Sequence, residues 1–181
     1  MAATTDFVTR AATRADADGI TDVQVASWRA GYAHVLPESV LYADDFDSSR
    51  RTMWNNWRFT PGHRVVVVTE EDAQGDERVI GFCSFGPERE RARGFTGRGE
   101  VWAFYLHPER WGCGAAAELM DHVEQRLKAE GFATVVLWVL DDNPRARRFY
   151  ERHGWAPTGI AANFDDYCEV SAPEVEYRKE L

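Results

Sequence analysis

The chain has 181 residues, 44% of them hydrophobic and 28% charged, with a formal net charge of −9. That length suits one globular domain with a proper core and is too short for two comfortable ones. An acidic chain lacks the basic stripe that binding to a phosphate backbone needs, which excludes nucleic acid as the expected partner. The charge serves either solubility or a cationic acceptor.

Cys83, Cys113 and Cys168 are odd in number, widely spaced and form no CxxC, so neither a disulfide framework nor a zinc or other metal site is expected. The opening residues MAATTDFVTR carry no apolar core of signal-peptide length. The longest apolar run, 135–140, is far too short to span a bilayer. The expectation is a protein of the reducing cytoplasm with no membrane partner.

Residues 7–11 read as a short first strand. Thr13 with Asp16 three positions on fits a capping box, and Ile20, Val23 and Trp28 follow at helical spacing until Gly31. The next stretch is rich in aromatics: Tyr32, Tyr42, Phe46, Trp54, Trp57 and Phe59. Pro37 suits the start of a second helix, and Asp47 to Arg50 the start of a third that runs to about Trp57. Most of these rings read as core. Tyr32, which has both ring and hydroxyl, is the candidate for an acceptor pocket.

Residues 64–69 and 78–85 form a predicted hairpin around the polar turn at Gly75 and Asp76. The segment 88–98 is charged and glycine-bearing, and reads as a mobile loop whose arginines face solvent. Residues 100–106 form a third strand of this region. From about Gly114 a helix places Ala115, Ala116, Leu119, Met120, Val123 and Leu127 on one face, and Gly131 sits where a C-terminal glycine belongs. Residues 134–140 read as a central strand. Asn143 and Pro144 open a helix as cap and first residue, and Trp155 begins a further strand. Residues 174–181 alternate like a strand and close the sheet.

Between the strand at 100–106 and the helix from Gly114 lies a glycine loop, Trp111-Gly112-Cys113-Gly114-Ala115-Ala116. Strand, glycine loop and helix N-terminus together aim backbone N–H groups at a phosphate. Gly112, Gly114 and Ala117 also satisfy the dinucleotide fingerprint of a nicotinamide-dependent (NAD) oxidoreductase. However, His107 to Trp111 separate those glycines from the strand, and no second three-strand half follows. Cys113 beside a helix N-terminus has the position of an activated thiol, yet the sequence pairs it with no histidine.

The loop resembles the acyl-CoA loop [QR]-x-x-G-x-[GA] of the GCN5-related N-acetyltransferase superfamily. Gly114 and Ala116 match, while Trp111 replaces the leading Gln or Arg and Cys113 stands where a basic residue is common. The resemblance extends over nearly the whole chain. It includes Phe104-Tyr105-Leu106-His107-Pro108 before the loop, and the run from Asn143 to Trp155 with Ala146, Phe149, Tyr150 and Gly154. It also includes Arg14-Ala15-Asp16 and Ser27-Trp28-Arg29-Ala30-Gly31-Tyr32 near the start.

The likeness implies an α/β fold: a mixed, mostly antiparallel sheet flanked by helices, with a V-shaped split between the two central parallel strands, here 100–106 and 134–140. Pantetheine would pair with backbone near Tyr105 and Leu106. The loop of Trp111, Gly112, Cys113, Gly114, Ala115 and Ala116 would hold the pyrophosphate through its N–H groups, and Asn143 would contact the cofactor or orient the site. Tyr150 resembles the residue that protonates the departing thiolate; otherwise it is an aromatic packed beside Phe149.

The implied reaction is direct transfer of an acetyl group from acetyl-CoA to a primary amine. The acceptor is a small molecule or a peptide or protein amine, and a homodimer is allowed. A lysine-like amine is neutral in only about one molecule in 2,500 at pH 7, a penalty near ~4.6 kcal/mol, so a base matters. Glu100 is the candidate, as the strand-end residue where some family members carry a catalytic glutamate. Its plain alternative is a solvated strand-end carboxylate. A non-catalytic acyl-CoA sensor is the reading from another functional class.

Overall fold

The computed structural model describes residues 7–56, 62–72, 74–89, 97–164 and 172–181. Trp57, Phe59, residues 90–96 of the charged segment and Cys168 lie outside the described residues. The strands are β1 (Val8–Ala11), β2 (Arg64–Glu71), β3 (Glu77–Pro87), β4 (Gly99–Leu106), β5 (Thr134–Leu140), β6 (Ala156–Phe164) and β7 (Ala172–Glu180). They form one sheet in the order β1-β2-β3-β4-β5-β7-β6. The pair β4–β5 is parallel, and the other pairs are antiparallel.

Period two explains why β2 can be four valines in a row. Val66 and Val68 join the cluster under one layer of helices, while Val65 and Val67 join the cluster on the other face. The first layer holds α4 (Ala115–Ala129) and α5 (Pro144–Arg152). The second holds α1 (Ala17–Gly31), the short α2 (Glu38–Leu41) and α3 (Phe46–Asn55). The amphipathic faces read from sequence are the ones that pack: Leu119, Met120, Val123 and Leu127 from α4, and Ile20, Val23 and Trp28 from α1, are all buried. No helix among the described residues is long and apolar enough to cross a membrane.

Capping follows the sequence signals. The Thr13 amide N–H donates to Asp16 at 2.7 Å, and Arg10 grips the same carboxylate at 2.8 and 2.9 Å. The Asn143 side chain accepts from the Ala146 N–H at 3.1 Å, with Pro144 next in line. Two details differ from expectation. β7 does not close the sheet: it lies between β5 and β6, and β6 is the edge. Two arginines of the charged segment do more than face solvent, because Arg89 and Arg98 each pair with a buried carboxylate.

The split has a visible cause. Between β3 and β4 the register passes from Ser84↔Ala103 to Phe85↔Val101, so Trp102 is an extra residue in β4. A bulge of this kind bends its strand and increases local twist. Parallel pairing with β5 covers only Gly99↔Val135, Glu100↔Val136 and Val101↔Leu137, and it stops where the bulge begins. Beyond it β4 and β5 diverge.

Candidate active site

Hydrogen-bond alternation decides which backbone groups line the opening. The His107 N–H donates to Ile80 O at 2.7 Å, and Leu106 stands opposite Gly81. In an antiparallel ladder the residues between bonded pairs turn their N–H and C=O outward, so Phe104 and Leu106 face the split and the Tyr105 backbone faces β3. The Leu106 carbonyl is already engaged by Ser27 Oγ at 2.8 Å and Trp111 Nε1 at 2.9 Å. Among the described residues, no backbone bond takes the Leu106 N–H or the Phe104 backbone, which leaves them to a ligand.

The loop after β4 begins with a 3-10 turn, Pro108–Arg110. Gly112 (φ 85°) and Gly114 (φ 101°) then occupy the left-handed region, which a side chain would strain. This brings the chain onto the N-terminus of α4, whose first N–H groups have no intrahelical acceptor and lie at the positive end of the helix dipole. Cys113 is an exposed free thiol, and no hydrogen bond joins it to a histidine among the described residues. Trp111 stands where the leading Gln or Arg of the acyl-CoA loop would be. It instead fastens the loop to the end of β4, and Arg145 from the start of α5 lies 3.8 Å over its ring.

The mouth of the split gathers side chains from both faces. Tyr150 reaches it from α5, buried among Phe104, Phe149, Trp155 and Tyr177. Burial pushes its hydroxyl far above the ordinary tyrosine value, and the nearby Cys83 and Tyr105 push in the same direction. Tyr105 and Tyr32 come from the opposite face, where Tyr32 packs edge-on against Trp28 at 5.2 Å. The Tyr32 and Tyr105 hydroxyls lie near one another. Burial raises both, and the neighbouring Tyr105 raises Tyr32 further while Tyr32 holds Tyr105 back. Across the mouth, His34 Nε2 meets the Asp142 carbonyl at 2.5 Å, joining the loop after α1 to the loop after β5.

Glu100 is at the other end. It is fully buried within the paired part of β4, opposite Val136. Arg89 takes it with two guanidinium hydrogen bonds, at 2.7 and 3.1 Å, and with its own N–H at 2.7 Å. The structure thus brings Tyr32, Tyr105 and Tyr150 together and leaves Glu100 apart from them. Asn143 spends its side-chain oxygen on the helix cap, which leaves its NH2 group to reach a cofactor. Sequence reading missed Glu174, a buried β7 residue whose charge is felt at the Tyr32 and Tyr105 hydroxyls. The alternation of β7 contains it, but nothing in the sequence sets β7 beside β5.

A glycine loop on a helix N-terminus beside one splayed parallel strand pair is not a doubly wound site, because the rest of the sheet is antiparallel. The profile of the acetyltransferase (GNAT) family matches residues 25–155. The chain belongs to the GNAT acetyltransferase family. The uncharacterized N-acetyltransferase YuaI of Bacillus subtilis is 30% identical over 160 residues, spanning 88% of this chain and 85% of the relative. Among solved structures, the PaiA N-acetyltransferase of Thermoplasma acidophilum in complex with coenzyme A superposes with a TM-score of 0.70 at 17% identity, over 97% of this chain and 99% of that one. YncA of Salmonella typhimurium, solved with its cofactor acetyl-CoA, gives 0.67 at 20% identity, over 97% and 94%. The GNAT fold accounts for the split, and as a member of the family this chain is an N-acetyltransferase.

Proposed function

We propose that this GNAT protein, one domain working in a reducing cytoplasm, transfers an acetyl group from acetyl-CoA directly to a primary amine at the mouth of the β4–β5 split. The observation that carries the reading is the convergence of Tyr150, Tyr105 and Tyr32 where parallel pairing ends at Val101↔Leu137. The neighbours solved with coenzyme A and acetyl-CoA support the cosubstrate. The pantetheine arm pairs with the outward-facing backbone of Phe104 and Leu106. Residues 111–116 hold the pyrophosphate by backbone N–H groups, and Arg145 on the Trp111 ring brings a cation to the side of a loop that lacks one of its own.

The acceptor nitrogen attacks the thioester carbonyl carbon, the C–S bond breaks, and the sulfur leaves toward Tyr150. A tyrosine raised by burial keeps its proton, so Tyr150 is a donor and never a base at neutral pH. A thiol near pKa ~8.5 is a poorer base than a phenolate at ~10 or above, so outright transfer from Tyr150 runs uphill by about 2 kcal/mol or more. Tyr150 therefore hydrogen-bonds the departing sulfur, and the proton it yields is replaced from the acylated nitrogen. Glu100 has no part in this scheme, because protonating it would leave the Arg89 charge without its partner.

The test is thermal denaturation with and without cosubstrate. Acetyl-CoA at about 100 times its Kd stabilises by about 2.7 kcal/mol, and NAD does not. Stabilisation by NAD alone removes the assignment.

A further inference from the structure

The Tyr150 ring packs among Phe104, Phe149, Trp155 and Tyr177 at centroid distances of 5.5 to 6.4 Å. Among the described residues its hydroxyl makes no hydrogen bond, so it points wherever α5 carries the ring. Arg147, Tyr150 and Glu151 stand at positions i, i+3 and i+4 of that helix, near one face. Arg147 Nε donates to the Tyr177 hydroxyl at 3.1 Å, and that hydroxyl donates to Glu151 Oε1 at 2.8 Å. One phenol oxygen of β7 thus joins two successive turns of α5, with the Tyr177 ring 6.2 Å from that of Tyr150. Arg147 Nη1 also donates to the Asp141 carbonyl at 2.9 Å and to its carboxylate. The Asp141 N–H in turn donates to Pro173 O of β7 at 2.8 Å. A single guanidinium therefore ties α5 to the end of β5 and to β7.

Stability does not explain the arrangement. The Arg147 and Asp141 side chains are 33% and 53% exposed, and a salt bridge so open to water adds little. Tyr177 is fully buried in the core whether or not its hydroxyl is held. What the cluster fixes is the placement of α5 against the split. We propose that Arg147 is a positioning residue for acetyl transfer: through the Tyr177 hydroxyl, Glu151 and Asp141 it holds α5 so that the Tyr150 hydroxyl reaches the departing sulfur. The inference rests on the acetyl-transfer reading above. Arg147 itself touches neither thioester nor acceptor and gives up no proton. A donor misplaced by about 1 Å costs on the order of 10²-fold in rate. Lysine replaces Arg147 only in part, because an ammonium lacks the planar fork that meets the phenol and Asp141 together.

The test is a double-mutant cycle on single-turnover thiol release from saturating acetyl-CoA, with propylamine as acceptor. Arg147→Gln is expected to lower the rate by about 10–10²-fold with stabilisation by acetyl-CoA unchanged, and Arg147→Lys by less. In the Tyr150→Phe background the same Arg147→Gln change should cost less than about 3-fold, since the hydroxyl it positions is already gone. A merely structural role predicts the same loss in both backgrounds. That result overturns the proposal, as does no loss with Tyr150 present or a loss of stabilisation by acetyl-CoA. If Arg147→Gln does not fold, Tyr177→Phe removes the shared oxygen alone and takes its place in the cycle. If propylamine is not acetylated, NMR of protein carrying ¹³C at Cζ of its six tyrosines decides. Coenzyme A should shift the Tyr150 signal, identified by its loss in Tyr150→Phe, and Arg147→Gln should abolish that shift. An equal shift in both proteins, or none in the wild type, counts against the positioning role. A wild-type protein that acetyl-CoA does not stabilise overturns the acetyl-transfer reading itself.

Discussion

At the closed end of the split, Glu100 and Glu176 are fully buried and each faces an arginine, whereas at the open end three tyrosines turn toward one another beside Glu174. The two ends lie on the same strands, β4 and β7, only a few residues apart. A buried charge needs a close partner, and one held by an arginine cannot take up a proton without stranding that cation. A buried hydroxyl costs less to desolvate and still holds a proton to give. Burial of a carboxylate is thus a poor guide to chemistry.

Tyr150→Phe tests the open end and carries the largest expected effect. It deletes one oxygen and keeps the ring among Phe104, Phe149, Trp155 and Tyr177. Turnover should fall by about 10²–10⁴, while the melting temperature and acetyl-CoA affinity stay close to wild type. Single-turnover thiol release at saturating acetyl-CoA measures it, and an unchanged rate places the hydroxyl outside the reaction.

Glu100→Gln probes the closed end, with the opposite signature. Arg89 is 39% exposed, so water recovers much of its charge when the partner is neutralised. The loss is then nearer that of a buried charged hydrogen bond, about 1–3 kcal/mol, than the larger penalty of a stranded ion. Urea denaturation should show that loss, with kcat of the folded enzyme unchanged. If kcat falls as far as in Tyr150→Phe, the base sits at the closed end and the contrast between the ends collapses.

Local signals made much of this legible. The capping box at Thr13 and Asp16, the Asn143-Pro144 helix start and the α4 face were written in residue type and spacing, and the structure realises each. Tyr105 and Tyr150 entered through the family resemblance and Tyr32 as a ring that carries a hydroxyl, and their roles belong to the proposed function. Other features depended on long-range pairing, which spacing does not encode. Trp102 as an extra residue is visible only against β3. The arginines of the charged segment read as solvated because their partners are remote in sequence: Arg98 meets Glu176 across the sheet. Glu174 looked like one more charge in an alternating strand until β7 was set beside β5.

The smallest expected effect lies far from the split and asks whether a paired carboxylate behaves alike outside it. Burial pushes Asp16 up, but the hydrogen bonds from Arg10 and Thr13 outweigh it and hold the carboxyl below its usual range. A depressed folded value means that the stabilisation is present above the unfolded pKa, near ~3.9, and is lost as pH falls through the folded one. Asp16→Asn should therefore cost about 1–2 kcal/mol at neutral pH, and Arg10 softens the loss by keeping Glu77 at 2.9 Å. Paired urea titrations from pH 7 downward should show the gap between wild type and variant closing below about pH 4. A gap that stays constant to the acid limit would mean that the cap geometry at Thr13, and not the charge on Asp16, holds the start of α1.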